Sequence, residues 1–219
     1  MSNNQNTLGS VVSLFRYPVK SMMGEELNAT HITQQGLLGD RYFAIVDSAD
    51  GKAGSAKNPR KWPNLFDYRA TFTEPPMIGE NMPTVRITLP DGTMVTNEQN
   101  DLNLILSKAF HREVTLKSKK QSQEKITVKA EEYWPDMEEL DYQDTVTDFA
   151  LPEGTFFDTA MIHLVTTATL DKLREIYPQG RFEARRFRPN IVIAPSSNIN
   201  DFIENDWIEI GRASCRERV

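Results

Sequence analysis

A proline halts the first strand of this chain, and the residues around it constrain the fold more than any other stretch. Val11-Val12-Ser13-Leu14-Phe15 is an apolar strand run that leads through Arg16 and Tyr17 into Pro18. Proline has a fixed φ and no N–H, so a strand ladder must end or kink there. A cation and a hydroxyl, Lys20 and Ser21, follow the kink. At a strand end, where backbone N–H groups are released from pairing, that combination suits an anion. A solvated lysine after a turn has the same sequence, and this pattern alone does not separate the two.

A second segment narrows the choice. Gly36 and Gly39 bracket a turn, after which Asp40-Arg41 leads into the apolar run Tyr42-Phe43-Ala44-Ile45-Val46. That strand ends in Asp47-Ser48-Ala49-Asp50-Gly51, a hairpin turn by composition. Arg41 therefore stands at the mouth of a strand, where a guanidinium fork can grip a phosphate with two parallel hydrogen bonds.

Tyr17-Pro18-Val19-Lys20-Ser21-Met22, then Gly24-Glu25, Leu27, Thr33 and Gly36-Leu37-Leu38-Gly39-Asp40-Arg41-Tyr42-Phe43, resembles in residues and order the N-terminal β-barrel domain of the MOSC family. That family includes the C-terminal domain of molybdenum cofactor sulfurases and the amidoxime-reducing molybdoenzymes. Arg186-Phe187-Arg188-Pro189-Asn190, followed by Ile191-Val192-Ile193, is similar to a second signature of the family. A basic surface loop closed by a proline is the competing reading of that motif. The resemblance implies a mainly β (α+β) protein with a few short helices. It places an N-terminal β-barrel domain over residues 8–118, an acidic linker over 119–150 and a truncated MOSC β-barrel domain over 151–209.

The chain between these motifs reads as short strands and turns. Leu27 to Thr33 alternates imperfectly and suits an exposed strand, with His31 a surface residue. Gly51 to Pro63 carries two glycines, Ser55, Lys52, Lys57, Arg60, Lys61 and Trp62. Such a loop either wraps an anionic ligand with Trp62 as cover or is simply flexible and basic. In the family this region lies near the cofactor, which marks Lys57. Leu65 to Phe72 and Val85 to Leu89 alternate at period two, and Pro90-Asp91-Gly92-Thr93 turns the chain into Met94-Val95. Asn100-Asp101 can cap a helix with Leu102, Ile105, Leu106 and Ala109 on one face. His111 follows as a helix-end residue. Met161 to Thr167 reads as a buried strand with His163 inside the core. Leu170, Leu173 and Ile176 line the next helix, which ends at Pro178-Gln179-Gly180. Thr166 and Thr167 at its start either cap it or help to hold an anion, and both can be true.

Charge is unevenly spread. The chain carries a formal −6, yet Glu131 to Asp148 alone holds eight acidic residues and no basic ones, so the remainder nets +2. That balance argues against nucleic-acid binding. Lys52 to Lys61 and Arg181 to Arg188 are locally basic. The polar start lacks a secretory h-region and no run is long enough to span a bilayer, so a cytoplasmic protein is expected. Glu138-Glu139 are adjacent and point apart on any regular element, which disfavours a two-carboxylate catalyst. No Gly-x-x-x-x-Gly-Lys precedes Ser21, which disfavours a P-loop.

Cys215 is the sole cysteine, and Arg216 beside it invites a thiolate reading. Family members place an essential cysteine late in the second domain, where it ligates molybdenum or carries sulfur. Cys215 comes too early for that pattern. Residues 210–219 also back-translate into a common sequencing-library adapter, so this tail is expected to be foreign.

By resemblance, the cofactor is molybdenum cofactor, a pterin bearing a phosphate and a dithiolene-held metal. Lys20, Ser21, Arg41, Lys57 and Arg188 then supply cations and hydrogen bonds, with Thr166, Thr167 and Asn190 as the polar complement. Arg188 would pair with the phosphate and Asn190 with pterin or neighbouring polar groups. The parent activity would be oxygen-atom removal from N-hydroxylated compounds, fed by a ferredoxin- or flavin-type electron donor, or sulfur carriage. Without the metal-binding thiolate little activity is expected of residues 1–209. No pyridoxal phosphate is expected, since the sulfurase domain that uses it in some relatives is not in this sequence. A non-catalytic module that binds a phosphorylated ligand or partner remains the alternative.

Overall fold

The computed structural model describes residues 9–119, 128–136, 144–196 and 202–206. The tail at 210–219, with Cys215, lies outside the described residues. Strand outweighs helix, 34% against 16%, so the chain is mainly β, as the sequence indicates. The expected barrels are not seen as such, since no closed barrel forms among the described residues. By contacts the chain divides into two compact units. The larger is built from Arg16–Glu25 and Ile32–Met161. The smaller draws on described residues within Met1–Phe15, Glu26–His31 and Ile162–Val219.

The larger unit is organised around one fully buried strand. Short β3 (Ile32–Thr33) and β4 (Gly36–Leu37) form a hairpin that precedes it. Gly39 then turns the chain at φ +83°, where a Cβ would meet the Phe72 ring at 2.7 Å, so a side chain is excluded on both counts. β5 (Phe43–Asp47) follows, and all its residues are buried. A strand covered on both faces reads as a continuous apolar run, which is what Phe43-Ala44-Ile45-Val46 is. β5 pairs antiparallel with β9 (Val114–Ser118). Val19 bridges Phe43, and Met23 bridges Arg69 at the start of β6 (Arg69–Phe72), so residues 19–23 link β5 to a second sheet. That sheet is the meander of β6, β7 (Val85–Thr88) and β8 (Met94–Thr96). The first part of the run expected as strand from Leu65 is a 3-10 turn, Leu65–Asp67, entered through Asn64 at φ 62°.

Helix α1 (Leu102–Phe110) buries Leu102, Leu106 and Phe110, with Ile105 and Ala109 packed beside them. Asp101 occupies its N-cap position without a side-chain capping bond, and His111 ends it in the left-handed region at φ 51°. Trp62 is 2% exposed and stands edge-on to Phe110 at 5.7 Å. It is a core residue here and not the cover of a ligand.

The acidic stretch expected as a linker holds two strands, β10 (Lys129–Trp134) and β11 (Thr145–Ala150), which pair antiparallel. Ala53 bridges both Val46 and Ala130, tying this hairpin to β5. The reason is electrostatic. Lys52 contacts Glu131 and Asp148 at 2.8 and 2.6 Å, Lys61 reaches Asp47, Asp50 and Glu131, and Arg60 contacts Asp144 at 2.8 Å. The basic loop and the acidic run thus neutralise each other. The hydrogen bonds that Lys52 donates to Asp148 and Glu131 push its ammonium above its ordinary range, so it is charged at any physiological pH.

The smaller unit is a four-stranded sheet in the order β12-β13-β1-β2, where β1 is Gly9–Arg16, β2 Glu25–Leu27, β12 Leu164–Thr166 and β13 Ile191–Pro195. β1 runs antiparallel to β13 with a bulge between Val11 and Ser13, and β12 lies parallel to β13. The parallel pair needs a crossover, supplied by α2 (Thr167–Ile176) and the single turn α3 (Ala184–Phe187). Val165, Leu170 and Val192 form its core, with Phe15, Ala184 and Phe187 packed on them. His163 is exposed and precedes β12, so the expected buried strand over Met161–Thr167 is shorter and excludes it.

Trp62→Ala should destabilise the chain by about 3–5 kcal/mol through loss of buried aromatic volume. Urea unfolding would show this as a lowered midpoint with an unchanged slope.

Candidate functional site

The two motifs that constrain the sequence lie side by side. Tyr17 N–H donates to the Asp40 carboxylate at 2.7 Å, Arg41 N–H to Tyr17 C=O at 2.7 Å, and Phe43 N–H to Pro18 C=O at 2.9 Å. Lys20 N–H returns the bond to Phe43 C=O at 2.8 Å. Pro18 lacks a donor, and this arrangement asks only its carbonyl to pair. Asp40 is fully buried and also pairs with the Arg41 guanidinium. Ser21 and Arg41 adopt left-handed backbone, φ 63° and 43°. Such conformations are uncommon outside glycine and persist only where surroundings over-determine them, often at functional positions.

Two of the predicted cations of this unit meet at one carboxylate, within the field of a third. The Lys20 ammonium, 4% exposed, donates to Phe156 C=O at 3.2 Å and pairs with Asp158. Lys57 reaches the other Asp158 oxygen at 3.7 Å and Glu132 at 3.4 Å. Arg41 adds a longer-range field at the same group. Burial pushes the Asp158 carboxyl up, but Lys20 first, then Lys57 and Arg41, outweigh it and hold the group below its ordinary value of 3.8. Aromatic rings line the niche. Phe149 lies 4.6 Å from the Lys57 ammonium and 6.0 Å from that of Lys20, and Arg41 sits 4.8 Å from the Tyr17 ring and 5.9 Å from Phe157. Rings that face cations add attraction without neutralising charge.

Ser21 has a positioning role. Its hydroxyl accepts from Ala56 N–H at 3.1 Å, and Ser55 Oγ accepts from Lys57 N–H at 3.2 Å. These bonds fix the loop that brings Lys57 to Asp158, while Lys52, Arg60 and Lys61 turn to the acidic hairpin.

The other four predicted residues belong to the smaller unit. Thr166 is fully buried and caps α2, its hydroxyl accepting from Thr169 N–H at 3.1 Å. The same hydroxyl lies 3.0 Å from a Glu204 oxygen, and Thr166 N–H donates to the other Glu204 oxygen at 3.2 Å. The start of α2 therefore already receives a carboxylate from this chain. Thr167 is the first helical residue and half-buried. Asn190 is 1% exposed. Its amide donates to Phe15 C=O at 3.3 Å and its Oδ1 accepts from His163 N–H at 3.0 Å, stitching β1 to the approach of β12. Arg188 ends α3 in the left-handed region at φ 52°.

Sequence reasoning missed Asp158, Phe149 and Phe157. Asp158 follows two adjacent phenylalanines that are both buried, a pattern that marks an anchored acid once the strand order is known. Among the described residues no group of three or more His, Cys, Asp or Glu could hold a metal. No helix among them is long and apolar enough to cross a membrane.

The sequence profile of the MOSC N-terminal beta barrel domain matches residues 8–148, and that of the MOSC domain matches 152–218. The first match alone spans more than half of the chain, and the chain belongs to the MOSC family. No curated protein matches the chain.

Two outcomes follow from this geometry. Ser21→Ala should cost about 1 kcal/mol and accelerate hydrogen exchange at the Ala56 amide, with little change at β5. Asp158→Asn should cost about 1–2 kcal/mol near pH 7, less than a buried pair because Asp158 is 36% exposed and screened. Since the folded Asp158 titrates below 3.8, its stabilisation is complete above that pH and is lost as pH falls through the folded value. The stability gap between wild type and Asp158→Asn, read by urea titration at several pH values, should close under acid.

Proposed function

We propose that this protein binds molybdenum cofactor and that the niche of Lys20, Arg41 and Lys57 takes the pterin's phosphate. Membership of the MOSC family supports the cofactor class. The observation that carries the reading is the meeting of Lys20 and Lys57 at Asp158, within the field of Arg41, so that the carboxylate stands in for an anionic ligand oxygen. A buried ammonium, a fixed guanidinium and a mobile-stemmed lysine around one acceptor are what a phosphate requires.

The donor set fits the phosphate end of the group. Lys20 would hold one oxygen from beneath, anchored by Phe156 C=O, and Arg41 would present its fork from the strand mouth. Lys57, 40% exposed, would close from the solvent side, and Ser21 would keep its loop in place. Asp158 would exchange its place with the incoming phosphate. Arg188 remains a second proposed phosphate ligand, and Thr167 a polar neighbour. Thr166 and Asn190 enter as supports, because their side chains are committed to Glu204 and to backbone groups. When bound, the cofactor supplies two-electron oxygen-atom or sulfur chemistry at its metal. Reduction of N-hydroxylated compounds with a ferredoxin- or flavin-type donor and sulfur carriage are both proposed parent activities. A metal-binding thiolate is not among the described residues.

Expression with a complete cofactor pathway, followed by molybdenum analysis and fluorescence of the oxidised pterin, tests the reading. Wild type should retain pterin. Arg41→Gln and Lys57→Ala should each lower retention roughly tenfold or more, the worth of one charge-assisted hydrogen bond, while Lys117→Ala should not. Absence of pterin from the folded wild type, or retention unchanged in both variants, would overturn it.

A further inference from the structure

Lys119 is not used by the niche, and its surroundings are unusual for a lysine. It follows β9, where its N–H donates to Tyr42 C=O at 2.9 Å, so its side chain lies beside Tyr42. It is 8% exposed. Among the described residues its ammonium has one weak acceptor, Asp40 C=O at 3.4 Å, and it lies 4.4 Å from the Phe157 ring. No carboxylate pairs with it among the described residues, because the nearby Asp40 carboxylate is already engaged by Arg41 and Tyr17 N–H. Lysines this deeply buried are nearly always paired.

The same residue lines a cleft of about 410 Å³ with Gln35, Tyr42, Glu80, Met82 and the Glu153–Thr155 turn. Exposure falls from rim to floor. Gln35, Glu80 and Glu153 are exposed, Tyr42 and Met82 half-buried, and Lys119 buried. The rim thus carries two carboxylates and the floor an amine.

We propose that Lys119 is a carbonyl-reactive amine, and that the cleft above it admits small uncharged aldehydes and ketones to form an imine there. The nitrogen lone pair attacks the carbonyl carbon and the oxygen takes up a proton, giving a carbinolamine. Loss of water then leaves the C=N bond, so amine plus carbonyl gives imine plus water with no oxidant or reductant. Burial, with the Arg41 charge against it and only Asp40 in its favour, brings the Lys119 ammonium down to about 8 from an ordinary 10.5. The amine is therefore largely neutral in mild alkali, as in other lysines activated by desolvation and a neighbouring cation. The phenol of Tyr42, held in its neutral form by burial, and the rim carboxylates are the proton carriers at hand for the dehydration. The two glutamates repel anionic carbonyl compounds, which distinguishes this site from the cationic niche of Asp158.

The folded full-length chain treated with limiting propanal and sodium cyanoborohydride, digested and mapped by mass spectrometry, tests this. Lys119 should be propylated at least about tenfold faster at pH 8 than Lys108, Lys117 and Lys129, which are exposed. Its rate should be half-maximal near pH 8, and glyoxylate should react more slowly than propanal. Lys119→Arg should remove the fast phase. Labelling of Lys119 no faster than the exposed lysines, or only after urea is added, would overturn the proposal. So would a preference for glyoxylate. None of these readings depends on pterin retention.

Discussion

Asp40 is the group on which the larger unit depends. A carboxylate with no solvent contact is tolerable only if its charge and lone pairs are met. Here the Tyr17 N–H and the Arg41 guanidinium meet them. That requirement sets residues 17–20 against residues 41–43 and fixes their register, because sliding either segment by one residue would strand the charge. The register then decides where Lys20 emerges, since its N–H pairs with Phe43 C=O and its side chain enters the unit beneath Phe156. One buried acid thus aligns two segments of distant sequence and places two of the three niche cations.

The strain at Ser21 and Arg41 follows from the same alignment. Arg41 opens the paired stretch and Ser21 follows it, so the two left-handed residues stand at its ends. Glycine would relieve the backbone at either position but would delete the hydroxyl that holds Ala56 or the guanidinium itself. The sequence accepts a local conformational cost to keep those groups, a pattern typical of functional positions.

The motifs around Pro18 and Arg41 were legible because their chemistry is local: a proline that ends a ladder, two glycines that turn, an apolar run. β5, β7, β8 and α1 fall where periodicity places them. The acidic hairpin was not legible, since Glu131 to Asp148 reads as a partly ordered linker until it meets Lys52, Arg60 and Lys61, which lie well upstream in sequence. Trp62 misled for the reverse reason. Its neighbours in sequence are cations, and only the fold brings Phe110 against it. Asp158 and Lys119 escaped notice because their meaning depends on burial beside distant partners. Thr166 and Asn190 were singled out for polar groups that the fold consumes internally, which a sequence cannot distinguish from groups left for a ligand.

Charge compensation also governs how the niche can work. Lys20 and Lys57 reach Asp158, Arg41 reaches Asp40, and Lys57 reaches Glu132, so the site is balanced without any ligand. An unbalanced cluster with one ammonium 4% exposed would oppose folding. In the proposed complex a phosphate would have to exchange with Asp158, gaining only the difference between two anions. That difference would favour phosphate, which carries more charge and more acceptor oxygens than one carboxylate. Affinity would then rest on how readily Asp158 gives way. Its partial exposure would let the displaced carboxylate be rehydrated, whereas Asp40, with no exposure, belongs to the frame and not to the exchange.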